Sequence, residues 1–205
     1  MIEKIGIIGA GQMGNGIAHV AAVAGCSVVL LDLDQQQIDA GLETITQNLA
    51  RQVRRNLLSE SDRSAAFDRI STTLDYADFG ECDFVIETAA EDEAVKRAIF
   101  KTLIPHLSDT ALIASNTSSI SITRLATTTD RPERFIGMHF MNPVPMMDLV
   151  ELIRGLATSE ETYQEVRILA KQMGKTISVA EDFPAFIVNR ILMPMINEAV
   201  YTLYE

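Results

Sequence analysis

The run Gly137-Met138-His139-Phe140-Met141-Asn142-Pro143-Val144-Pro145 leads into Leu149-Val150-Glu151, so a histidine lies near the end of one apolar stretch and a glutamate near the start of the next. If these stretches are neighbouring antiparallel strands, the loop between them brings the two side chains together. A carboxylate against one imidazole nitrogen holds the ring in one tautomer and stabilises its protonated form. The other nitrogen is then free to accept a proton near neutral pH. Upstream, Gly9-Ala10-Gly11-Gln12-Met13-Gly14 has the glycine spacing of a loop that wraps a dinucleotide pyrophosphate. Together these are the parts needed to remove a hydroxyl proton while hydride leaves to a nicotinamide. The alternative for His139 is a histidine that only packs.

The glycine loop gains weight from its surroundings. It follows the apolar run Lys4 to Ile8, opens a helical stretch from Met13 to Ala24, and is answered by Asp32 after a second apolar run, Ser27 to Leu31. Of the three glycines, one permits the tight turn, one lets the backbone approach phosphate, and one lets the helix pack on the strand. Asp32 accepts hydrogen bonds from adenosine ribose hydroxyls and repels a 2′-phosphate, so NAD is expected rather than NADP.

Other candidates have plainer alternatives. Ser118 and Ser119 follow a predicted strand end, where ligands bind in α/β folds, but serine there also caps helices. Arg51, Arg54 and Arg55 end a long amphipathic helix. They are either a solvated basic turn complementing the helix dipole or a phosphate contact. Of the three histidines, His19 falls within a helix and His106 before a strand, and packing or surface roles suit both. Cys26 and Cys82 lack the spacing of a metal or redox motif and read as small packing residues, so no metal site is expected.

The elements that would position these residues alternate. After the first β-α-β unit comes a helix with Ile38, Leu42, Ile45, Leu49 and Val53 on one face. Strands are predicted at Asp83 to Glu87, Ala111 to Ser115, Arg131 to Phe140, Leu149 to Ile153 and Lys175 to Ala180. Helices are predicted to about His106, near Ile120 to Ala126, and around Glu160 to Met173. This pattern predicts an α/β fold, a doubly wound Rossmann-type, mostly parallel sheet covered on both faces.

From Ile187 through Val188, Ile191, Leu192, Met195, Ile196, Ala199, Val200 and Leu203, an apolar stripe runs to the end of the chain, and Pro194 is expected to kink that helix. Residues 1–183 are therefore read as an NAD-binding domain and 184–205 as the first helix of a second, all-helical domain, truncated at Glu205. The alternative is a terminal helix that folds back on its own domain.

Composition sets limits. The chain has 205 residues, 47% hydrophobic and 22% charged, enough for one well-buried domain and part of another. A formal net charge of -11 argues against a nucleic-acid footprint. No apolar run reaches the ~18 residues that span a bilayer. No signal segment is evident, so a soluble protein of the reducing cytoplasm is expected, with no membrane partner.

Several separate segments also carry a family resemblance: Gly9 to Gly14, Ser115-Asn116-Thr117-Ser118-Ser119, His139-Phe140-Met141-Asn142-Pro143, Leu149-Val150-Glu151 and Phe186-Ile187-Val188-Asn189-Arg190. In these the chain resembles the NAD-dependent L-3-hydroxyacyl-CoA dehydrogenases, in particular the bacterial 3-hydroxybutyryl-CoA dehydrogenases, over essentially its whole length. The resemblance implies reversible oxidation of an L-3-hydroxyacyl-CoA to the 3-ketoacyl-CoA, as in fatty-acid β-oxidation. It makes His139 the base and Glu151 its orienting partner, with Ser118 and Asn189 at the substrate hydroxyl and thioester. On the cofactor side it implies Gly9, Gly11, Gln12, Met13, Gly14 and Asp32, with Glu91, Lys96 and Asn142 toward the nicotinamide half. Arg51, Arg54 and Arg55 lie on the helix expected to meet coenzyme A.

Three departures accompany the resemblance. Pro184-Ala185-Phe186 stands where the family usually has Pro-Gly-Phe, Asp148 stands where many relatives are basic, and relatives continue into further helices that close the acyl site and form a homodimer interface. For the chain as it stands, NAD binding with weak turnover is therefore expected. Two competing readings remain: an NAD-dependent dehydrogenase of a free hydroxy acid such as a sugar acid, and a non-catalytic NAD-binding module.

Overall fold

A computed structural model describes residues 2–205; Met1, the first residue of the expected first domain, lies outside that range. The apolar segment β1 (Lys4–Ile8) is an interior strand of the sheet, and the glycine loop turns it into α1 (Gln12–Val23). The chain returns as β2 (Ser27–Leu31), which pairs parallel to β1 with Ile5 opposite Val28 and Ile8 opposite Leu31. There follow α2 (Gln35–Arg54), α3 (Glu60–Asp68), β3 (Ile70–Thr73), β4 (Phe84–Glu87), α4 (Glu93–Leu103) and β5 (Leu112–Ser115). The rest comprises α5 (Ile122–Ala126), β6 (Phe135–Phe140), β7 (Leu149–Arg154), α6 (Glu160–Gln172), β8 (Thr176–Glu181) and α7 (Val188–Tyr204).

One eight-stranded sheet results, in the order β3-β2-β1-β4-β5-β6-β7-β8. Every neighbouring pair is parallel except β6 and β7. The order reverses about β1, so the loops after β1 and β4 diverge at their carboxyl ends and leave the crevice where open α/β sheets bind ligands. Two apolar layers sandwich the sheet. Ile5, Ile7, Leu30 and Ile86 pack with Ile17, Ile38, Ile45 and Leu169 on one face, and Ile8, Val85 and Ile113 pack with Phe100, Leu103 and Leu125 on the other. Strands with both faces covered can carry uninterrupted apolar runs, and those of β1, β4 and β5 are of this kind.

The structure adds two elements that the pattern does not announce, α3 and β3. Only Ala66 of α3 is buried, and β3 is a half-exposed edge strand of sequence Ile-Ser-Thr-Thr, so neither has the periodicity that marks an element. Pairing with β2 makes β3 a strand, with Val28 opposite Ile70 and Leu31 opposite Thr73. Among the boundaries that move, two have a visible cause. The predicted strand from Arg131 begins at Phe135, because Pro132 to Arg134 form a 3-10 turn. Helix α5 begins at Ile122, because Ser121 caps it. The capping alternative for Ser118 and Ser119 is thereby set aside.

Helix α7 contains Pro194 and has no buried residue; Ile191, Met195, Val200 and Leu203 are exposed. It does not fold back to bury its apolar stripe. Among the described residues, no helix is long and apolar enough to cross a membrane.

Candidate active site

The site is assembled at the carboxyl edge of the sheet. Gly9 takes φ +99°, a left-handed conformation that glycine adopts freely, and turns the chain out of β1 while its N–H donates to the Leu31 carbonyl at 2.7 Å. At Gly14 a Cβ would lie 1.7 Å from the Gly9 carbonyl oxygen, so only glycine lets α1 pack this close to the strand. At Gly11 a Cβ would meet nothing within 4 Å. Space therefore remains beside the loop at the start of α1, whose first N–H groups have no side-chain cap. A pyrophosphate suits both the space and the unpaired donors, so these residues fit NAD.

Asp32 lies one step away at the end of β2. Its Oδ2 accepts the Ala10 N–H at 2.8 Å, and its Oδ1 accepts the Leu33 N–H at 2.7 Å. The carboxylate is thus built into the glycine loop and lines a cleft of about 300 Å³ with Gly11, Tyr76 and Ala90.

Across the crevice, β4 ends in a fully buried carboxylate, Glu87. It accepts hydrogen bonds from the Lys96 ammonium at 2.7 Å, the Ala89 N–H at 2.6 Å and the Ser115 hydroxyl at 2.6 Å. Ser115 is its register partner on β5, and Lys96 reaches inward from the first turns of α4. The same ammonium stands 3.7 Å from Oε2 of Glu91. Oε1 of Glu91 accepts from the Thr117 hydroxyl and from both the N–H and the hydroxyl of Ser118 and of Ser119. Burial alone would raise the Glu91 pKa, but the donors of Thr117 and Ser118, with Lys96 nearby, outweigh it and hold the carboxyl below its ordinary range.

The antiparallel pairing of β6 and β7 sets His139 opposite Glu151 in register. Directly opposed residues in such a ladder place their side chains on one face. His139 Nδ1 is 2.7 Å from Glu151 Oε2, and both residues are buried. An ionised carboxylate only accepts, so Nδ1 carries the hydrogen and Nε2 keeps its lone pair. Among the described residues, Nε2 has no protein partner.

The other carboxylate oxygen, Oε1, accepts the Ile187 N–H at 3.0 Å and the Val188 N–H at 2.9 Å. Glu151 therefore also caps α7, whose own N-cap, Ile187, offers no side-chain acceptor. Asn189 follows on this first turn and donates to the Ser118 carbonyl at 3.3 Å.

His139, Glu91, Lys96, Ser118, Asn142 and Asn189 line one cleft of about 510 Å³. Asn142 also lines a neighbouring cleft with Gly11 and Gln12, and Pro143 and Asn48 connect that one to a third, lined by Arg51, Arg55, Met146 and Asp148. The clefts thus adjoin in the order histidine, glycine loop, arginines, a trough whose far wall carries Arg51 and Arg55. Arg54 lies outside its walls.

Residues 4–183 match the family described as the 3-hydroxyacyl-CoA dehydrogenase NAD binding domain. The chain belongs to this family. It is 58% identical, over all its 205 residues and 70% of the relative, to a 3-hydroxybutyryl-CoA dehydrogenase of Bradyrhizobium diazoefficiens. It is 48% identical over 204 residues to a probable 3-hydroxybutyryl-CoA dehydrogenase of Bacillus subtilis, covering 71% of that protein. Among solved structures, that of (S)-3-hydroxybutyryl-CoA dehydrogenase from Ralstonia eutropha superposes with a TM-score of 0.95 at 48% identity, covering 97% of this chain and 70% of that one.

Within this family frame, Pro184-Ala185-Phe186 has a visible consequence. Ala185 adopts φ 68° and Phe186 φ 51°, both left-handed, so the turn needs the conformation that a glycine supplies without strain. Phe186 packs by His139, their ring centroids 6.0 Å apart. Asp148, the other departure, faces the same trough as Arg51 and Arg55.

Some contributors escape sequence reasoning. Glu87 is the main one, and its only signal is a carboxylate closing an otherwise apolar strand. Lys175 is another: its ammonium donates to the carbonyls of Val144 at 2.7 Å and Met147 at 2.8 Å, pinning the loop that carries Asn142, and burial lowers its pKa. Asn116 accepts the Phe140 N–H at 2.9 Å and ties β5 to β6 beside His139. His19, expected to pack, is buried with Nε2 3.0 Å from the Gln52 amide oxygen, and burial lowers its pKa. Cys26 and Cys82 are buried free thiols, the latter pushed up to about 11 by burial.

Proposed function

We propose that the chain is an NAD-dependent dehydrogenase that interconverts L-3-hydroxyacyl-CoA and 3-ketoacyl-CoA. The observation that carries this reading is the His139–Glu151 pair at 2.7 Å, opening into the same cleft as Glu91, Lys96, Ser118 and Asn189. The family match and the two curated relatives support it.

NAD, when bound, supplies the hydride acceptor. Gly9, Gly11, Gln12, Met13 and Gly14 with the start of α1 hold the pyrophosphate, Asp32 the adenosine ribose, and Glu91, Lys96 and Asn142 the nicotinamide half. His139 accepts the substrate hydroxyl proton on Nε2. Glu151 stabilises the resulting imidazolium through Nδ1 and keeps the ring aimed. Ser118 and Asn189 position the reacting oxygen. The Ser118 hydroxyl donates to Glu91 at 3.0 Å; rotated into the cleft it can donate instead to the reacting oxygen, whose one proton goes to His139.

Arg51 and Arg55 receive the phosphates of the CoA tail, and Arg54 contributes only long-range charge. This cluster favours a CoA ester over a free hydroxy acid, which has no group to reach that end of the trough.

Residues 184–205 are read as the beginning of a helical part distinct from the nucleotide-binding domain, in keeping with the family match over 4–183 and the lack of burial along α7. The exposed apolar stripe of α7 supports a homodimer formed through that part. Two buried free thiols agree with a cytoplasmic location.

The test is NADH formation from 3-hydroxybutyryl-CoA, run beside the His139→Gln variant and a free hydroxy acid. Turnover that needs both the CoA ester and His139 is expected. NAD binding with no turnover of any hydroxyacyl-CoA would overturn the enzymatic reading, and equal turnover of the free acid would overturn the CoA reading.

A further inference from the structure

Glu87 is fully buried and nothing in the proposed reaction uses it. Its carboxylate takes three donors at 2.6 to 2.7 Å, and the strongest electrostatic partner is Lys96, whose side chain is only 1% exposed. Beyond Lys96, at 3.7 Å, stands Glu91, whose side chain is 40% exposed and lines the cleft assigned to the nicotinamide. A buried ammonium between two carboxylates can cancel only one of them. Glu87 is the nearer and better desolvated partner, so Lys96 is neutralised from behind, and the group of three keeps one net negative charge at the wall of the cleft.

The oxidised nicotinamide ring carries a positive charge and the reduced ring is neutral, so a net negative wall favours the oxidised cofactor over the reduced one. Resting on the proposed placement of the nicotinamide, we infer that Glu87 is a positioning residue that sets the charge of the nicotinamide pocket: by neutralising Lys96 it leaves the charge of Glu91 to act on the cofactor and biases the site toward NAD+ over NADH. Without Glu87, Lys96 would turn its full charge on Glu91 and the wall would become neutral. The other ionised groups of the cleft, Glu151 among them, are unchanged by alterations here and drop out of any comparison.

The preference should therefore follow the summed charge of Glu87, Lys96 and Glu91, whichever residue is altered. Dissociation constants for NAD+ and NADH are measured by titration calorimetry at one pH on the 205-residue chain and three variants. Glu87→Gln and Glu91→Gln each bring the sum to zero, and each should raise the ratio of the NAD+ constant to the NADH constant by about tenfold, the order expected of one charge acting in a partly buried site. The double variant Glu87→Gln with Lys96→Met removes a compensating pair, and its ratio should return to within about twofold of the unaltered protein's.

A purely structural role for Glu87 predicts otherwise: both cofactors weaken together in Glu87→Gln, and the double variant is worse than the single. Either result overturns the inference. If Glu87→Gln does not fold, the remaining two variants decide, since the double must keep the original ratio and Glu91→Gln must raise it. Failure of the unaltered chain to bind either cofactor would instead overturn the cofactor reading, and this inference with it.

Discussion

Replacing Glu151 by Gln keeps the volume and removes the charge, and its consequences can be worked from three hydrogen bonds. The carboxylate accepts His139 Nδ1–H at 2.7 Å on one oxygen, and the N–H groups of Ile187 at 3.0 Å and Val188 at 2.9 Å on the other. All three partners are donors, whereas an amide offers one acceptor and one donor group. With its oxygen toward α7, the amide N–H faces Nδ1 and forces the imidazole proton onto Nε2, so the base is lost. A histidine held in the wrong tautomer costs roughly 10⁴-fold in kcat in a comparable dyad. Turned the other way, the amide keeps the tautomer but leaves two helix N–H groups without an acceptor, at about 1–3 kcal/mol each.

The variant is therefore expected to lose at least about 10³-fold in kcat. Its Tm should stay close to the unaltered protein's, because the orientation that loses the base still accepts the two N–H groups of α7; the opposite orientation would keep the base and lower Tm by about 2–4 °C for each kcal/mol lost. Steady-state NADH formation gives the first quantity and thermal unfolding followed by circular dichroism the second. A kcat within about tenfold of the unaltered protein's together with an unchanged Tm would refute the reasoning, since no orientation of the amide keeps both the base and the cap.

Ala185→Gly should raise stability by about 0.5–1 kcal/mol, because the left-handed strain at φ 68° outweighs the added chain entropy; a lower denaturation midpoint would contradict this. Asp182 accepts the N–H groups of Ile122 and Thr123 and the Ser121 hydroxyl at the start of α5. Burial alone would raise its pKa, but these donors outweigh burial and hold the carboxyl below its ordinary range. A carboxyl with a depressed folded-state pKa contributes stability that is complete above its unfolded value of about 3.9 and is lost as pH falls through the folded value. Asp182→Asn should thus be less stable than the unaltered protein at pH 7, and the difference should shrink below about pH 4; a difference constant with pH would rule out this linkage. Arg51→Ala with Arg55→Ala should raise KM for the CoA ester about tenfold or more and flatten its salt dependence with kcat little changed, whereas an unchanged KM would remove the arginines from the substrate path.

Much of the nucleotide-binding half is legible in the sequence, for a local reason. Gly9, Gly11 and Gly14 act within a few residues of one another, and their tasks of turning, clearing space and packing close follow from the missing Cβ alone. Fully apolar runs such as Ile5 to Ile8 and Phe84 to Ile86 announce strands buried on both faces. The segments α3 and β3 lie at the other extreme, because an edge strand of Ser and Thr and a helix with one buried alanine carry no pattern to read.

The proposed catalytic dyad stands between these cases. The sequence proposes that His139 and Glu151 could meet, but the meeting depends on strand direction and register, which are decided by how β6 and β7 close against the rest of the sheet.

Residue types and short spacings thus determined by themselves the fold class, the glycine loop with Asp32, and the short list of polar residues able to do chemistry. Only the tertiary structure decided that Glu151 serves His139 and the start of α7 at once, that buried Glu87 stands behind Lys96 and Glu91, and that two of the three arginines face the trough. The physical reason is that glycine conformation and apolar periodicity act over a few residues, whereas a charge acts on whatever the fold brings within a few ångströms. Lys96 and Glu87 lie on successive elements, and Ser115 joins them only because β5 pairs with β4.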